Sequence, residues 1–462
     1  MKNDTYETII IGAGIGGMIC GCYLAKKGQK ILIIDQSDAV GGYCSGFVRN
    51  DYYFDTGVHY LGGVRNGLLG EILGELEILS DVSFNAFDPT DTIITNEARV
   101  NIRQNYNDTI SEFLELFQDE SVGIKNFFSF ILMNDLHIIY MKTKRISFSQ
   151  ILDLHFKNSE LKRIFKILVE GNLGSGLNQV PAYIGIELWR EYLFDPGYYP
   201  EGGIIEFTKA IEEKIIMHGG SFLLSEKVNK IQICENSSKY VFTNKNNVFE
   251  AENLVANIDP FQLSKLMNIT IPDIAKNIDF TPTPSAVALY IGLDQKANKI
   301  LNDASCVWDY SNNINNNAHS HHSIRAGALI FSPSDHNSKH TNNGTIQMHC
   351  LVPSFNLEYW EHNQDEWRTF MKNKLQKYIP DLNDHIMLEV FATPQTFQKY
   401  TLNEGGAILG RKLSMQNKKR NHLFISNKIK KMYFTGSWYS YGGVSEVAIS
   451  GKRTARILLE HQ

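Results

Sequence analysis

The sequence predicts an α/β protein that opens on a Rossmann-type unit and carries an interleaved α+β domain. Three observations carry the first part. A β-branched run, Glu7 to Ile11, leads into Gly12-Ala13-Gly14-Ile15-Gly16-Gly17, which satisfies GxGxxG. A helical pattern follows to Lys27, Gly28 ends it, and a second apolar run from Lys30 to Ile34 closes on Asp35. Hydrophobic residues make up 43% of the chain and charged residues 21%, the composition of a folded globular protein.

Each element of the opening unit has a physical task. The Glu7–Ile11 run reads as a buried parallel strand. Gly12 permits the tight turn, Gly14 lets a pyrophosphate approach the backbone, and Gly17 lets helix and strand pack closely. Ile15 and Gly16 begin the helix, whose free N–H groups and positive dipole end suit phosphate. Asp35 lies 23 residues beyond Gly12, near the spacing of about 20 for an acid that contacts a ribose. Cys20 and Cys22 fall within the helix and read as small packing residues rather than a redox pair.

The 462 residues amount to about three domain equivalents. A net charge of −5 without a long basic run leaves no electrostatic footprint for nucleic acid. Six cysteines with no CxxC make neither a disulfide framework nor a structural zinc site, so a reducing compartment, the cytoplasm, is expected. The first apolar run lacks the basic flank of a signal peptide, and no stretch is long and apolar enough to span a bilayer. Phe127 to Met141, interrupted by Asn134, Asp135 and His137, reads as a buried or a surface-associating helix.

Further motifs are spread along the chain. Gly41-Gly42-Tyr43 follows Asp35 and Gln36, and Phe54-Asp55-Thr56-Gly57-Val58-His59-Tyr60 comes next. Tyr199-Pro200-Glu201-Gly202-Gly203 and Ala256-Asn257-Ile258-Asp259-Pro260 lie mid-chain. Tyr433-Phe434-Thr435-Gly436-Ser437-Trp438 and Gly442-Gly443-Val444 lie near the end. With these motifs in this order, the chain resembles the phytoene desaturase, carotenoid isomerase and retinol saturase branch of the FAD-dependent, amine-oxidase-like superfamily. The Phe54–Tyr60 form leans toward the retinol saturase side.

The resemblance implies FAD as cofactor and a glutathione-reductase-like, discontinuous FAD domain from residues 1–75, 200–275 and 405–462. Residues 76–199 and 276–404 would form the substrate domain over the flavin. It also implies that Gly41, Gly42, Tyr43, Gly57, Val58, His59 and Tyr60 run beside the cofactor. A strand at Ser225–Val228 would place Lys227 and Val228 against adenine, and Asn257 would close the turn at a strand end. Gly436 and Ser437 would meet the ribityl phosphate side, with Gly443, Val444 and Val447 at the flavin pyrimidine edge. Two departures stand out: Asp35 replaces the usual Glu, and Tyr43 replaces a frequent arginine. A single dinucleotide fingerprint argues against a second, tightly held NAD(P)H.

Within the substrate pieces, Thr109 and Glu112 read as a capping box, with Ile110, Phe113, Leu114 and Phe117 at helical spacing. Ala286–Ile291 and Thr345–His349 read as strands. The polar Asn312–His322 stretch reads as a solvated loop, and its His319, His321 and His322 as part of it rather than a metal site. Phe127, Phe128, Phe130, Trp189, Tyr192 and Phe331 serve as core or cavity wall.

A flavin exchanges hydride with substrate, so the protein must exclude water and manage a proton. Two residues are placed for that. His59 is either a packing residue beside the flavin or its proton carrier. Glu446 is either a favourable helix-start acid or a carboxylate facing the ring. The expected substrate is a lipophilic polyene or isoprenoid, free or carrier-bound, that is desaturated, saturated or isomerised. Peripheral contact with the inner membrane face would suit it. An amine or amino-acid oxidase is the enzymatic rival, with Lys452-Arg453 similar to that group and Trp438, Tyr439 and Tyr441 as an aromatic cage. A prenyl-escort protein without redox chemistry is the non-enzymatic one.

Overall fold

The computed structural model describes residues 4–234, 238–275, 278–294, 306–311, 327–332, 344–353, 357–415, 426 and 429–461. The opening β-branched run forms the strand Asp4–Ile11, the centre of the first sheet. It pairs in parallel with Ile31–Ile34 on one side and Val248–Ala256 on the other. Ser221–Leu223 extends the sheet beyond Ile31–Ile34, and Met432–Phe434 lies parallel to the end of Val248–Ala256. An antiparallel meander, Val228–Ile233, Lys239–Thr243 and Val248–Ala256, completes it.

The helix Ile15–Lys26 is buried on nearly every side, Cys20 and Cys22 included. It is held between this sheet, the helix Ile204–Met217 and the long final helix Val444–Glu460. Small residues make that possible: a Cβ on Gly451 would lie 2.6 Å from the Gly16 carbonyl. The strand expected at Ser225–Val228 begins only at Val228, because Ser225 takes a left-handed conformation (φ 55°) that breaks the extended run.

The second sheet runs Ile386–Ala392, Ser285–Leu293, Thr345–Val352, Ala328–Phe331, Cys306–Asp309, Asp91–Ile94 and Arg99–Ile102. All neighbours are antiparallel except Cys306–Asp309 with Asp91–Ile94. Ser285–Leu293 is buried along its whole length because both of its faces are covered. Val287, Leu289 and Ile291 pack toward Trp360 and Trp367 of the helix Leu357–Leu375. Ala286, Ala288 and Tyr290 point the other way, onto Tyr52 and Phe54.

Six helices between residues 106 and 194 pack on the far end of this sheet. Phe127, Phe128 and Trp189 are core there, around Phe113 and Phe165. The first helix, Tyr106–Leu116, starts a turn earlier than the expected capping box. Asn105 caps it by accepting from the Asn107 N–H at 3.0 Å. Thr109 and Glu112 bind strand backbone instead: Thr109 Oγ1 accepts from Arg103 N at 2.8 Å and Glu112 from Asn101 N at 2.6 Å. Asparagine is as good a cap as threonine, which frees the buried Thr109 for that tie. The Phe127–Met141 stretch is two helices, Ser121–Met133 and Leu136–Thr143, broken at Asn134. His319, His321 and His322 lie outside the described residues. Among the described residues, no group of three or more His, Cys, Asp or Glu is placed to hold a metal ion.

Candidate active site

A cleft of about 800 Å³ follows the carboxyl ends of the first sheet's parallel strands, where open α/β sheets take their ligands. Gly12 turns the chain at φ +102°, and a Cβ there would lie 2.6 Å from the Asn257 carbonyl. Gly17 carries the packing role, since its Cβ would sit 2.3 Å from the Gly12 carbonyl. Asn257 clamps the loop, its Nδ2 donating to Gly12 O at 3.0 Å and Gly14 O at 3.3 Å. Gly14, Ile15 and Gly16 line the cleft with the start of the helix. Its first N–H groups have no partner within the helix and are available to an anion.

Asp35 stands at the end of Ile31–Ile34, held by Ala13 N–H at 2.7 Å and Ser37 N–H at 2.8 Å. Burial raises its pKa against the pull of those two amides. Each oxygen keeps a further lone pair, so the shorter acid can still accept from a ribose hydroxyl. Gln36, Gly41, Gly42 and Tyr43 continue the wall, and Gln36 donates to Tyr400 O at 2.8 Å. Tyr43 Oη donates to Ala407 O at 3.1 Å, so an uncharged tether occupies the usual arginine position. Lys227 and Val228 line the far end.

The chain's last segment returns to the same cleft. Gly436 (φ +95°) ends Met432–Phe434, donates its N–H to Ser450 Oγ at 3.0 Å, and lines the cleft with Ser437. Gly443 (φ +101°) precedes the final helix, with open space where a Cβ would point. Val444 and Val447 face the cleft. Glu446 does not. It lines a separate small pocket with Arg411, Tyr439, Tyr441 and Arg453, so it is not the carboxylate facing the ring. Trp438 lines the main cleft while Tyr439 and Tyr441 line the small one, so the three form no common cage.

Thr56 and Val58 line the cleft, but Gly57, His59 and Tyr60 do not. The turn carries His59 through to an aromatic cluster with Tyr60 at 4.5 Å, Phe331 at 5.5 Å and Trp308 at 6.3 Å between ring centroids. His349 packs on Phe331 at 5.6 Å and on Tyr290 at 5.7 Å. Tyr290 also lines the cleft and donates to Thr56 O at 2.7 Å, so the two spaces share a wall. Burial lowers the pKa of His59 to about 4, against the Gly57 backbone, and that of His349 to about 3. Both imidazoles are neutral at ordinary pH.

Sequence reasoning missed Asp91, Glu191, Tyr290, Trp308 and His349. Glu191 Oε1 accepts from Ser445 Oγ at 2.7 Å, joining the helix Ala182–Phe194 to the start of the final helix, and burial raises its pKa to about 6. The signal available was modest: Asp91 is an acid directly before the β-branched run Thr92-Ile93-Ile94.

A parallel sheet with a glycine cradle at its carboxyl edge, roofed by a second sheet, defines a dinucleotide-dependent enzyme with a separate substrate layer. The chain belongs to the flavin-containing amine oxidoreductase family, whose model matches residues 15–459. It is an FAD-dependent oxidoreductase. It is similar to prolycopene isomerase 2, chloroplastic, of an Oncidium hybrid cultivar, with 23% identity covering 97% of this chain and 83% of that protein. All-trans-retinol 13,14-reductase of Danio rerio is 23% identical, covering 88% of this chain and 78% of its own. The solved cyclohexylamine oxidase from Brevibacterium oxydans shares the fold at a TM-score of 0.65 and 16% identity, covering 99% of each chain.

Proposed function

We propose that the protein exchanges hydride between FAD and a lipophilic, unsaturated polyene or isoprenoid. The observation that carries this reading is the neutral aromatic cluster around His59, which abuts the cleft through Tyr290 and Val58. An apolar chain lying against these rings would meet no charged ring. The isomerase and reductase among the relatives are named for polyene substrates, which supports the same choice.

In this reading the Gly12–Gly17 turn and helix start hold the pyrophosphate, and Asp35 holds the ribose. Lys227 and Val228 flank adenine. Thr56, Val58, Gly443, Val444 and Val447 would border the flavin, with the final helix start favouring negative charge on the reduced ring. When bound, the flavin supplies hydride transfer at N5. The chain excludes water, orients the polyene and handles the proton. Anaerobic mixing of the FAD-loaded protein with candidate polyenes tests the reading. Bleaching of the yellow colour marks desaturation, and colour returning to pre-reduced protein marks saturation. Hydrogen peroxide released from simple amines, with every polyene inert, would decide for the amine oxidase.

The substrate's route is part of the proposal. Met133 is 84% exposed, and Val122, Leu136, Ile138, Tyr140 and Met141 stand out on the same pair of helices. Exposed Lys142 and Arg145 follow directly. Among the described residues no helix is long and apolar enough to cross a membrane, so this face would rest on an anionic lipid surface. Co-sedimentation with anionic vesicles, lost in a Met133→Glu, Met141→Glu double variant, would support it. Equal sedimentation of both proteins would remove it.

A further inference from the structure

Adding hydride to one carbon of a double bond, or removing it, obliges the neighbouring carbon to gain or lose a proton. His59 is too weak a base to carry that proton near neutrality, and Glu446 faces another pocket. Among the described residues, one other carboxyl hydrogen-bonds directly to rings of the cluster. Asp91, fully buried at the start of Asp91–Ile94, accepts from Tyr60 Oη at 2.7 Å on Oδ2 and from Trp308 Nε1 at 2.8 Å on Oδ1. Tyr60 Oη lies 2.6 Å from Tyr192 Oη, and Tyr192 accepts from Asn172 Nδ2 at 3.0 Å.

Counting donors orders this chain. Trp308 and the Asn172 amide can only donate at these contacts, and each phenol has a single proton. With Asp91 ionised, the protons run one way: Asn172 to Tyr192, Tyr192 to Tyr60, Tyr60 to Asp91. With Asp91 protonated, its proton sits on Oδ2, because Oδ1 faces the Trp308 N–H. Tyr60 must then accept from Asp91 and turn its own proton elsewhere. Tyr60 meets the His59 ring edge-on at 4.5 Å between centroids while its hydroxyl bonds Asp91 and Tyr192, so the one residue links the aromatic cluster to the buried carboxyl.

We propose that Tyr60 is the proton carrier of the reaction and that Asp91 is the positioning residue that reloads it. This rests on the polyene reading. In the saturating direction the Tyr60 O–H bond breaks as its proton goes to one carbon. Hydride from the reduced flavin goes to the other, and the Asp91 proton re-forms the phenol. Asp91 is left ionised, the flavin oxidised and the double bond saturated; Asp91 then regains a proton from solvent. Desaturation is the same set of transfers reversed. Burial raises Asp91 to about 7 against its two hydrogen bonds, which leaves both protonation states accessible. Cys306 opposite Asp91, Glu191 beside Tyr192, and His59 are the other titratable groups facing the chain. Cys306 and His59 stay neutral through this range.

The test uses the FAD-loaded protein. Asp91→Asn and Tyr60→Phe should each retain FAD yet slow turnover by about 100-fold, the lower end for a lost proton carrier. The wild-type step near pH 7 should vanish in Asp91→Asn. A carboxylic-acid infrared band should fade through the same pH range in wild type and be missing from Asp91→Asn, whether or not any polyene reacts. Polyene inertness in wild type with that band intact removes the substrate reading and leaves the titrating pair standing. Wild-type rates in Tyr60→Phe, an unchanged pH profile in Asp91→Asn, or a band that does not titrate would each overturn the proposal. If Asp91→Asn does not fold, the Tyr60→Phe rate and the wild-type infrared titration still decide.

Discussion

The cleft and the aromatic cluster share Tyr290 and Val58 as a border, but they are built on different principles. The cleft is shaped by backbone: Gly12, Gly41, Gly436 and Gly443 all have positive φ, and two side chains, Asn257 and Asp35, tie the loop. The cluster is shaped by side chains drawn from the His59 turn, three strands and a helix. A backbone site tolerates almost no substitution yet makes few demands on the rest of the chain. A side-chain site can be retuned one residue at a time. The family's shared cofactor and varied substrates fit that division.

Breaking the backbone site should give the largest effect. Gly12→Val adds a β-branched side chain at φ +102°, where the first atom alone would lie 2.6 Å from the Asn257 carbonyl. Strain of about 1–3 kcal/mol adds to the overlap, so FAD retention should drop by more than about 100-fold and the purified protein should be colourless. A yellow variant with wild-type FAD content would show that the turn does not need glycine. Asn257→Ala comes next. It leaves two loop carbonyls without their donor at about 1–3 kcal/mol, so FAD should bind about 10–100-fold more weakly by titration.

The side-chain site should respond differently. His59→Phe keeps the ring contacts with Tyr60 and Phe331 and removes an imidazole that is already neutral. FAD content should be unchanged, turnover should shift by less than about 10-fold, and the pH profile between 5 and 8 should keep its shape. Loss of a titration step in that window would make His59 the proton carrier after all and displace Tyr60.

The same division explains what could be read in advance. A glycine records a backbone requirement at its own position, so Gly12, Gly14, Gly436 and Gly443 were legible one by one. Asp91 was not, because its chemistry depends on Tyr60 and Trp308, which lie 31 and 217 residues away. Glu446 shows a middle case. Its place in the first helical turn was evident, but helical phase sets two residues apart by about 200°. Val444 and Val447 therefore face the cleft while Glu446 points away. The misplaced cap at Thr109 has a similar origin: the motif was present, but Asn105 sat one turn earlier.

Asp55 joins the two regions and gives the smallest effect. Its carboxylate accepts from Tyr53 Oη at 2.6 Å, Tyr199 Oη at 2.5 Å and Ile204 N at 3.0 Å. The Gln347 side-chain amide of the second sheet exchanges two 2.9 Å hydrogen bonds with the Asp55 backbone. Burial raises the Asp55 pKa to about 6 despite its three donors, whereas the unfolded chain titrates near about 3.9. Between those values the folded state binds more protons, so stability from this group is full below the unfolded value and is lost as pH rises through about 6. Asp259 and Glu191, raised to about 6 for the same reason, act in the same direction. Melting of wild type should therefore occur at a lower temperature at pH 7 than at pH 5. Asp55→Asn should narrow that gap by roughly 2 °C. A gap unchanged in the variant would mean that the three donors hold Asp55 ionised throughout, and that the joint between the two sheets does not titrate.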